Sequence, residues 1–364
     1  MKSKDTINNY LLSSLFILML IIPNLVLIVN VKNQTAPEFQ SDSENSFTTL
    51  NKLKNYYSEN FGFKTTLANK YLNIKSNVLK ETPLPEKVVF GKENWFFIGD
   101  YYQNTLNQAF GNSDISDSMF EEISNKLKQT NNYLTEKNIK FYVVIAPNKN
   151  NIYKEYLPYQ FEYNKTALQL LETYLAKHNP NLRFINLTET LQKQKHNNTL
   201  YIKTDSHWND LGAFYGYRAI VEEIKKDVNI NTVELKDYKI SEEISTEFDI
   251  TRQINYPIKD TKITLTKIEK SKTKAIQPEE NIYRHYVNPE NDKTLILHRD
   301  SYANALTQFI NESFGESYYL TGYDLNINLI EKTKPDVVIF EMIERDIINW
   351  SQKNNILKLN EKRH

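Results

Sequence analysis

Short apolar runs alternate with amphipathic segments through most of the chain. Residues 141–146 (FYVVIA) form a continuous apolar run, which is typical of a strand buried on both faces. Apolar residues recur at helical spacing from Phe120 to Leu134 and predict a helix there. The same reasoning predicts further strands at 183–187, 294–298 and 336–340, and further helices at 166–178, 210–226 and 301–313. Strands that alternate with helices indicate an α/β fold, in which a parallel sheet is sandwiched by helices.

Three segments add detail to this pattern. Ser118 and Glu121 have the spacing of a capping box, and we expect the first of these helices to begin there. Residues 88–100 (VVFGKENWFFIGD) predict two short strands joined by a turn at 91–94. Residues 228–292 are charged and only partly alternating, so they interrupt the rhythm and predict an insertion with some β structure.

The N-terminal segment is the most apolar part of the chain. Residues 10–31 carry almost only apolar side chains over roughly 20 positions, which is enough to span a bilayer as a helix. Lys2 and Lys4 precede it and favour a cytoplasmic N-terminus. No small-residue cleavage site follows, so the segment predicts an uncleaved signal anchor; a cleaved signal peptide is the alternative. The predicted organisation is a cytoplasmic N-terminus (1–9), a single-pass membrane anchor (10–31), a polar tether (32–46) and an extracytoplasmic domain (47–364), whose first helices break near 61–63.

Composition narrows the possible chemistry. Lys plus Arg and Asp plus Glu number 45 each, so no net charge favours binding to nucleic acid. The chain has no cysteine, which excludes disulfides, thiolate catalysis and cysteine-ligated zinc. It has six histidines, and only His207 lies within a recognisable motif. We therefore predict neither a metal site nor a cofactor.

Two motifs carry groups that suit acyl transfer. Asp205 lies two residues before His207 in a loop, where its carboxylate can accept a hydrogen bond from the ring Nδ1 and leave Nε2 free as a base. Ser301 lies between a strand and a helix, which places its hydroxyl at the carboxyl edge of the sheet beside helix N–H groups. Each motif has a plainer interpretation, because Asp-x-His triplets arise by chance and Asp300 or Ser301 can simply cap the helix. Together they supply the three parts of an acyl-transfer triad.

Two further segments carry polar groups just after predicted strands. Asn148 and Lys149 follow the strand at 141–146 and are candidate donors to an oxyanion; an ordinary turn is the alternative. Arg345 follows the last strand and is a candidate contact for a substrate hydroxyl or carboxylate. A surface ion pair with a neighbouring acid, Glu344 or Asp346, is the alternative for this arginine.

Six sequence blocks occur in the order in which a known family has them. They are Tyr57–Lys64, Gly91–Phe97, Ala146–Lys149 with Tyr156–Pro158, Asp205–Trp208, Arg299–Tyr302 and Glu341–Arg345. Together they resemble the SGNH-hydrolase-like domain of the alginate O-acetyltransferase family, which includes AlgX/AlgJ-like and DHHW-type proteins. Two positions depart from the family pattern. Arg299 stands where the family has a glycine, and Asn94 replaces a hairpin glycine, at a position where asparagine tolerates a positive φ.

The resemblance implies both a fold and a reaction. It implies an SGNH-hydrolase-like sheet, with Ser301 as nucleophile, His207 as base and Asp205 as the group that orients the base. It also implies acetyl transfer to an extracytoplasmic polysaccharide, with a multi-pass membrane O-acyltransferase supplying the acetyl group. Tyr302 and Trp208 would stack on sugar rings. A carbohydrate acetylesterase would use the same triad, and a non-catalytic scaffold for polysaccharide assembly is a third possibility, because an arginine adjoins the nucleophile turn.

Overall fold

The computed structural model describes residues 4–33 and 51–352, apart from 52–53, 55, 59, 80, 113–114, 160–163, 247, 255 and 257. The chain divides into two compact units, Met1–Pro83 and Leu84–His364. The predicted tether lies outside the described residues from position 34 onward. The candidate chemistry falls in the second unit.

The first unit contains one long helix, α1 (Lys4–Asn33). Its segment Asn8–Ile28 is long and apolar enough to cross a membrane, which agrees with the predicted helix in this region. Pro23 lies inside the helix without ending it. A second helix, α2 (Lys64–Asn73), continues into a π-helical turn at Ile74–Val78. The predicted break before α2 is confirmed, because Phe63 has a left-handed backbone with φ of 61°.

A seven-stranded sheet forms the centre of the second unit. The strands of this unit are β1 (Val88–Phe90), β2 (Phe96–Ile98), β3 (Lys140–Ala146), β4 (Arg183–Asn186), β5 (Tyr238–Ser245), β6 (Asp260–Lys267), β7 (Lys274–Ile276), β8 (Arg284–Val287), β9 (Thr294–Arg299), β10 (Glu316–Thr321) and β11 (Val337–Ile343). The order in the large sheet is β4-β3-β11-β9-β10-β8-β7. The first five are parallel, as predicted, while β8 and β7 extend one edge with antiparallel pairing.

Helices cover both faces of this sheet, which confirms the predicted α/β class. The helices of the second unit are α3 (Thr105–Ala109), α4 (Asp117–Glu136), α5 (Lys149–Ile152), α6 (Ala167–His178), α7 (Thr188–Gln194), α8 (Asp210–Ile224), α9 (Asp249–Gln253), α10 (Ala303–Ile310), α11 (Ile327–Thr333) and α12 (Ile347–Gln352). Alternate side chains of β3 enter different cores. Tyr142 and Val144 join the core that contains α8 and α10, and Phe141 and Val143 join the core that contains α4 and α6. Both faces of the strand are therefore buried, and this explains its continuous apolar run.

The helix ends agree with the sequence pattern in two cases and differ in one. Thr166 caps α6, and its hydroxyl accepts a hydrogen bond from the Gln169 N–H at 3.3 Å. Asn209 occupies the N-cap of α8, which agrees with the predicted start of that helix at 210. The capping box predicted at Ser118 is wrong, because the N-cap of α4 is Ser116, whose extended backbone suits that position. Ser118 instead lies in the first turn of the helix.

The predicted hairpin and the predicted insertion both contain the expected β structure. β1 and β2 pair antiparallel, and Asn94 adopts a positive φ of 63°, as expected for an asparagine in place of glycine. Within 228–292, which we call the insertion, β5 and β6 pair antiparallel and α9 lies between them in sequence. The insertion also supplies β7 and β8 to the edge of the large sheet, an arrangement that the sequence pattern does not predict.

Candidate active site

Three candidate segments meet at one edge of the large sheet. β3, β11 and β9 are adjacent and parallel, so their carboxyl ends lie side by side. Asn148 follows β3, Ser301 follows β9 and Arg345 follows β11. Groups that are far apart in the sequence therefore converge where open parallel sheets carry their sites.

The fourth candidate segment is the loop 199–209, called here the Asp-His loop, which leads into α8. The Asn209 N–H donates to the Leu200 carbonyl at 2.9 Å, and the Asn209 Oδ1 accepts from the Gly212 N–H at 3.0 Å. Only glycine fits at position 212, because a Cβ there would lie 2.3 Å from the Leu200 oxygen. The first turn of α8 thus packs directly on the loop and fixes its course.

A continuous hydrogen-bond chain joins Ser301, His207 and Asp205. The Ser301 Oγ lies 2.8 Å from the His207 Nε2, and the His207 Nδ1 lies 2.7 Å from the Asp205 Oδ1. The same Oδ1 accepts the backbone N–H of His207 at 3.0 Å, which holds the carboxylate against the ring. Ser301 is exposed to solvent and Asp205 is half-buried. This arrangement can move a proton from the serine hydroxyl to the imidazole while the carboxylate orients the ring.

The charges around His207 favour its protonated form. Burial opposes protonation, but the hydrogen bond and charge of Asp205, together with the charge of Asp249, outweigh it and raise the pKa of His207. Burial acts on Asp205 in the opposite sense, and the bonds and charge of His207 outweigh it and lower the pKa of Asp205. The carboxylate therefore stays ionised and stabilises an imidazolium.

Two acids, Asp300 and Glu341, hold the turn that carries Ser301 through hydrogen bonds. The Asp300 carboxylate accepts the Tyr302 N–H at 2.8 Å and the Ile343 N–H at 2.6 Å, which ties the turn to the end of β11. The Asp300 N–H in turn lies 3.4 Å from the carboxylate of Glu341, which is fully buried in β11. The N-cap of α10 is Tyr302, so Ser301 is not the cap of this helix. Asp300, the other candidate for a capping role, does accept a backbone N–H at the start of the helix, that of Tyr302.

Arg299 supports this turn from inside the protein. Its side chain is buried; Nη1 donates to the Asn304 Oδ1 at 2.9 Å and Nε donates to the Asp300 carbonyl. The guanidinium also lies over the ring of Tyr283, 4.8 Å from its centroid. Arginine in place of the family glycine therefore links the last residue of β9 to the first turn of α10.

Lys149 is not available as an oxyanion donor, and that expectation is wrong. Its Nζ is buried and donates to the carbonyl oxygens of Ile202, Lys203 and Asp205, at 2.5 to 3.1 Å. These three acceptors use all three hydrogens of an ammonium group. Burial lowers the pKa of Lys149 to about 7, against the opposing charges of nearby acids. Its role in the structure is to fasten the Asp-His loop to α5.

Asn148 and Arg345 form a pair at the same edge of the sheet as Ser301. The Asn148 side chain is buried, its Oδ1 lies 3.4 Å from the Arg345 Nη1, and its Nδ2 has no hydrogen-bond partner within the described part of the chain. Glu344 accepts the Asn148 N–H at 3.0 Å instead of pairing with Arg345. In residues 4–33 and 51–352, no ion pair within 4.0 Å joins Arg345 to Glu344 or Asp346, so the surface ion pair is wrong. Asn148 thus retains an unused donor.

Trp208 and Tyr302 lie under the site, where they cannot stack on sugar rings as expected. Their side chains are 2% and 1% exposed and belong to the hydrophobic core. The Trp208 Nε1 donates to the Tyr302 carbonyl at 3.0 Å, and the Tyr302 hydroxyl donates to the Ser206 carbonyl. The ring centroid of Tyr302 is 4.8 Å from that of His207. The Tyr302 ring therefore packs against the imidazole, and Trp208 packs against Tyr302 in turn.

The sequence motifs give no sign of one further acid in the site, Asp249 of the insertion. Its backbone N–H donates to the Asp205 Oδ2 at 2.8 Å. Ligand atoms of Asp205, His207 and Asp249 lie within 4.8 Å of one another and are the groups that could hold a metal ion. In this structure the acid oxygens are engaged by protein donors, which accounts for their proximity. Asp249 lies 44 residues beyond Asp205 in a charged segment, so sequence spacing does not reveal it.

A groove of about 380 Å³ runs beside the Asp-His loop. Its lining includes Lys203 and Thr204 of the loop, Asn94 of the hairpin turn, and Asp260 and Ile263 of the insertion. The insertion therefore forms one wall of this groove.

Comparison with known protein families finds one family model that matches this chain. The family model described as an SGNH hydrolase-like domain, acetyltransferase AlgX, matches residues 88–284, which is more than half of the chain. The match includes Asp205 and His207 and ends before Ser301. A search of curated protein sequences finds no significant match.

Proteins from two bacteria are among those whose solved structures share this fold. A DHHW family protein from Eubacterium siraeum has a TM-score of 0.50 and 22% identity, with 65% of this chain and 90% of that chain covered. PatB1 from Bacillus cereus has a TM-score of 0.50 and 19% identity, with coverage of 70% and 95%. The same protein with a sulfonyl adduct has a TM-score of 0.52 and 18% identity, with coverage of 71% and 97%. At these identities the likeness is one of fold.

Proposed function

Because this chain belongs to the SGNH hydrolase-like family of the acetyltransferase AlgX, we propose that it is a polysaccharide O-acetyltransferase. The observation that carries the proposal is the hydrogen-bond chain from the exposed Ser301 hydroxyl through His207 to Asp205. Serine, imidazole and carboxylate in this order are what covalent acyl transfer requires.

In the first half-reaction, Ser301 accepts the acetyl group. His207 Nε2 takes the hydroxyl proton as the Ser301 Oγ attacks the acetyl carbonyl. The resulting oxyanion is stabilised by the Ser301 backbone N–H. The Asn148 Nδ2, which is buried and has no hydrogen-bond partner among the described residues, becomes a second donor when the Asn148 side chain turns toward the site. The imidazolium, paired with Asp205, then gives its proton to the leaving group, and acetyl-Ser301 remains.

In the second half-reaction, a sugar hydroxyl takes the place of the first leaving group. His207 removes its proton, the sugar oxygen attacks acetyl-Ser301, and Ser301 recovers its proton as the ester forms on the sugar. The exposure of Ser301 allows a polymer to approach its hydroxyl from solvent. The groove beside the Asp-His loop is the acceptor path that we favour.

The apolar helix at Asn8–Ile28 supports a location for this reaction. We propose that it anchors the chain as a single span, with the second unit outside the cytoplasm. In keeping with the resemblance to the alginate O-acetyltransferase family, the proposal includes a multi-pass membrane O-acyltransferase that supplies the acetyl group to Ser301.

Hydrolysis is the second candidate function, and one observation favours it. Ser301 is exposed, so water can compete with a sugar hydroxyl for the acetyl-serine. The balance between an esterase and a transferase then depends on how well the acceptor occupies the site. A non-catalytic scaffold has less support, because Arg299 braces the nucleophile turn and leaves the Ser301–His207 contact intact.

The test is acylation of Ser301 in the full chain, solubilised in detergent. We expect p-nitrophenyl acetate to give a burst of nitrophenolate and an acetylated Ser301 peptide by mass spectrometry. A Ser301→Ala variant should lose both signals, while Ser118→Ala, which alters an exposed serine of α4, should keep them. Acetylation of equal extent in Ser301→Ala, or none in the natural chain, would overturn the proposal. Faster loss of acetyl-Ser301 on addition of a polysaccharide, with ester appearing on the polymer, separates transfer from hydrolysis.

A further inference from the structure

Two acids of the insertion hold the Asp-His loop on either side of Asp205. The Asp260 Oδ2 accepts the Thr204 backbone N–H at 3.0 Å and the Thr204 hydroxyl at 2.8 Å. Asp249 accepts the Ser206 backbone N–H at Oδ1, at 2.7 Å, and the Ser206 hydroxyl at Oδ2. Each acid thus holds one hydroxyl residue through the same two kinds of hydrogen bond.

Only one of these two acids also contacts the triad groups. The Asp249 backbone N–H donates to the outer oxygen of Asp205, and the Asp249 Oδ2 lies 3.6 Å from the His207 Nδ1. Among the described residues, no ion pair within 4.0 Å joins Asp260 to His207. Asp260 is therefore a natural control for Asp249, since it shares the loop and the bonding pattern but not the approach to the ring.

We propose that Asp249 is a positioning residue that the insertion contributes to the site, where it holds the Asp205-Ser206-His207 turn and places a second negative charge beside the imidazole. The effect on turnover rests on the proposed acyl-transfer function. The effect on the ring itself does not, because it depends only on the geometry around His207.

The charged and titratable neighbours of the ring come from five elements. They are Asp205 on the Asp-His loop, Asp249 on α9, Tyr302 before α10, Arg345 after β11 and, behind the loop, Lys149 on α5. The two carboxylates favour the imidazolium, and burial and Arg345 oppose it, with a raised pKa of His207 as the net result. Burial and the charge of Asp205 raise the pKa of Asp249, while His207 and the Ser206 bonds lower it.

The second charge matters most when the ring carries its proton. During turnover above the pKa of His207, the imidazolium forms when Ser301 loses its proton and lasts until the leaving group receives that proton. A carboxylate 3.6 Å from Nδ1 stabilises that state without touching substrate. Its loss should therefore lower kcat and leave KM nearly unchanged.

The experiment compares Asp249→Asn with Asp260→Asn in the full chain in detergent, using p-nitrophenyl acetate. Asparagine at 249 removes the charge and can keep both Ser206 contacts, because the hydroxyl can turn and accept from the amide. We expect the acid limb of the kcat/KM profile to move down by about one pH unit in Asp249→Asn, because a nearby carboxylate typically shifts an imidazole pKa by that amount or more. We expect kcat to fall roughly 10-fold with KM within about 2-fold. Asp260→Asn should keep the acid limb of the natural chain.

A second measurement follows the ring without turnover. Diethyl pyrocarbonate reacts with neutral imidazole, so its rate at His207, read by peptide mass against pH, reports the protonation of that ring. The midpoint should move down in Asp249→Asn, also in a Ser301→Ala background, and stay in Asp260→Asn. Asp249→Ser, which also lacks the charge, replaces Asp249→Asn if that variant does not fold.

The outcomes separate the two proposals. A shift of the His207 midpoint without any Ser301 acylation in the natural chain supports the role of Asp249 and overturns the acyl-transfer function. Ser301 acylation with unshifted midpoints in Asp249→Asn and Asp249→Ser overturns the role of Asp249 alone. An equal shift in Asp260→Asn also overturns it, because the effect would then belong to the net charge of the insertion.

Discussion

Asp205→Asn is the substitution whose effect the geometry defines most sharply. The carboxylate accepts at both oxygens: Oδ1 from the His207 N–H and the ring Nδ1, and Oδ2 from the Asp249 N–H. An amide offers only one acceptor oxygen. In one orientation its NH₂ group faces the Asp249 N–H, and in the other it faces the His207 N–H and favours the ring tautomer that cannot take a proton from Ser301.

The size of the effect follows from the separation of the charges. The Asp205 Oδ1 and the His207 Nδ1 are 2.7 Å apart. Coulomb's law with an effective dielectric constant of 20 gives about 6 kcal/mol at that distance, as an upper bound. Asp205 and His207 are 13% and 28% exposed, so solvent screening reduces this term to roughly 4 kcal/mol. At 1.36 kcal/mol per tenfold, Asp205→Asn should lower kcat/KM by about 10³-fold.

The assay is steady-state turnover of p-nitrophenyl acetate, with circular dichroism to verify folding. Asp210→Asn is the matched control: the Asp210 Oδ2 accepts the Leu265 N–H at 3.0 Å, which ties α8 to β6 rather than to the ring. We expect its kcat/KM to stay within about 3-fold of the natural chain. A folded Asp205→Asn variant that retains a tenth or more of the natural activity would refute the assignment of Asp205 as the orienting group.

Two further predictions concern the supports of the site. Lys149→Met leaves three loop carbonyls without their donor and should lower the free energy of unfolding by about 2–4 kcal/mol. Lys203→Met is the control and should cost less than about 1 kcal/mol, because the Lys203 Nζ makes one exposed hydrogen bond. Equal thermal unfolding temperatures for the two variants would contradict this. Arg299→Gly removes the hydrogen bond to Asn304 and should lower the free energy of unfolding, measured by chemical denaturation, by about 1–3 kcal/mol. The rate of Ser301 acylation should stay within about tenfold of the natural chain, because Asp300 still holds the turn. Loss of acylation in the folded variant would contradict this.

Inner strands whose buried positions are mostly aliphatic are the ones that the sequence pattern predicts most directly. β3, β9 and β11 are covered on both faces, so their apolar runs stand out from the rest of the chain. β10 has the run ESYYLT, in which buried tyrosines and a buried serine replace the aliphatic residues of a typical inner strand, and the pattern misses it. β8 is only half-buried at every position and gives no periodic signal.

Some residues of the site can be recognised from their neighbours in the sequence, while the roles of others depend on segments that are distant in the sequence. Asp205, His207 and Ser301 belong to compact motifs, so sequence suffices to propose them. The burial of Lys149, Trp208 and Tyr302 depends on which segments pack over them, and this is why their expected contacts with substrate do not agree with the structure. Asp249 is the extreme case, since its role arises only when the insertion folds back on the Asp-His loop.

The position of β11 constrains when the site can form during synthesis. β11 comes last along the chain among the described strands, yet it lies between β3 and β9 and separates them in the sheet. Its Ile343 N–H also completes the turn that carries Ser301. The serine therefore cannot meet its base in a settled geometry until residue 343 has been made and has inserted into the middle of the sheet. A partly synthesised chain would present a chemically ordinary serine, and reactivity would switch on only with the completed fold.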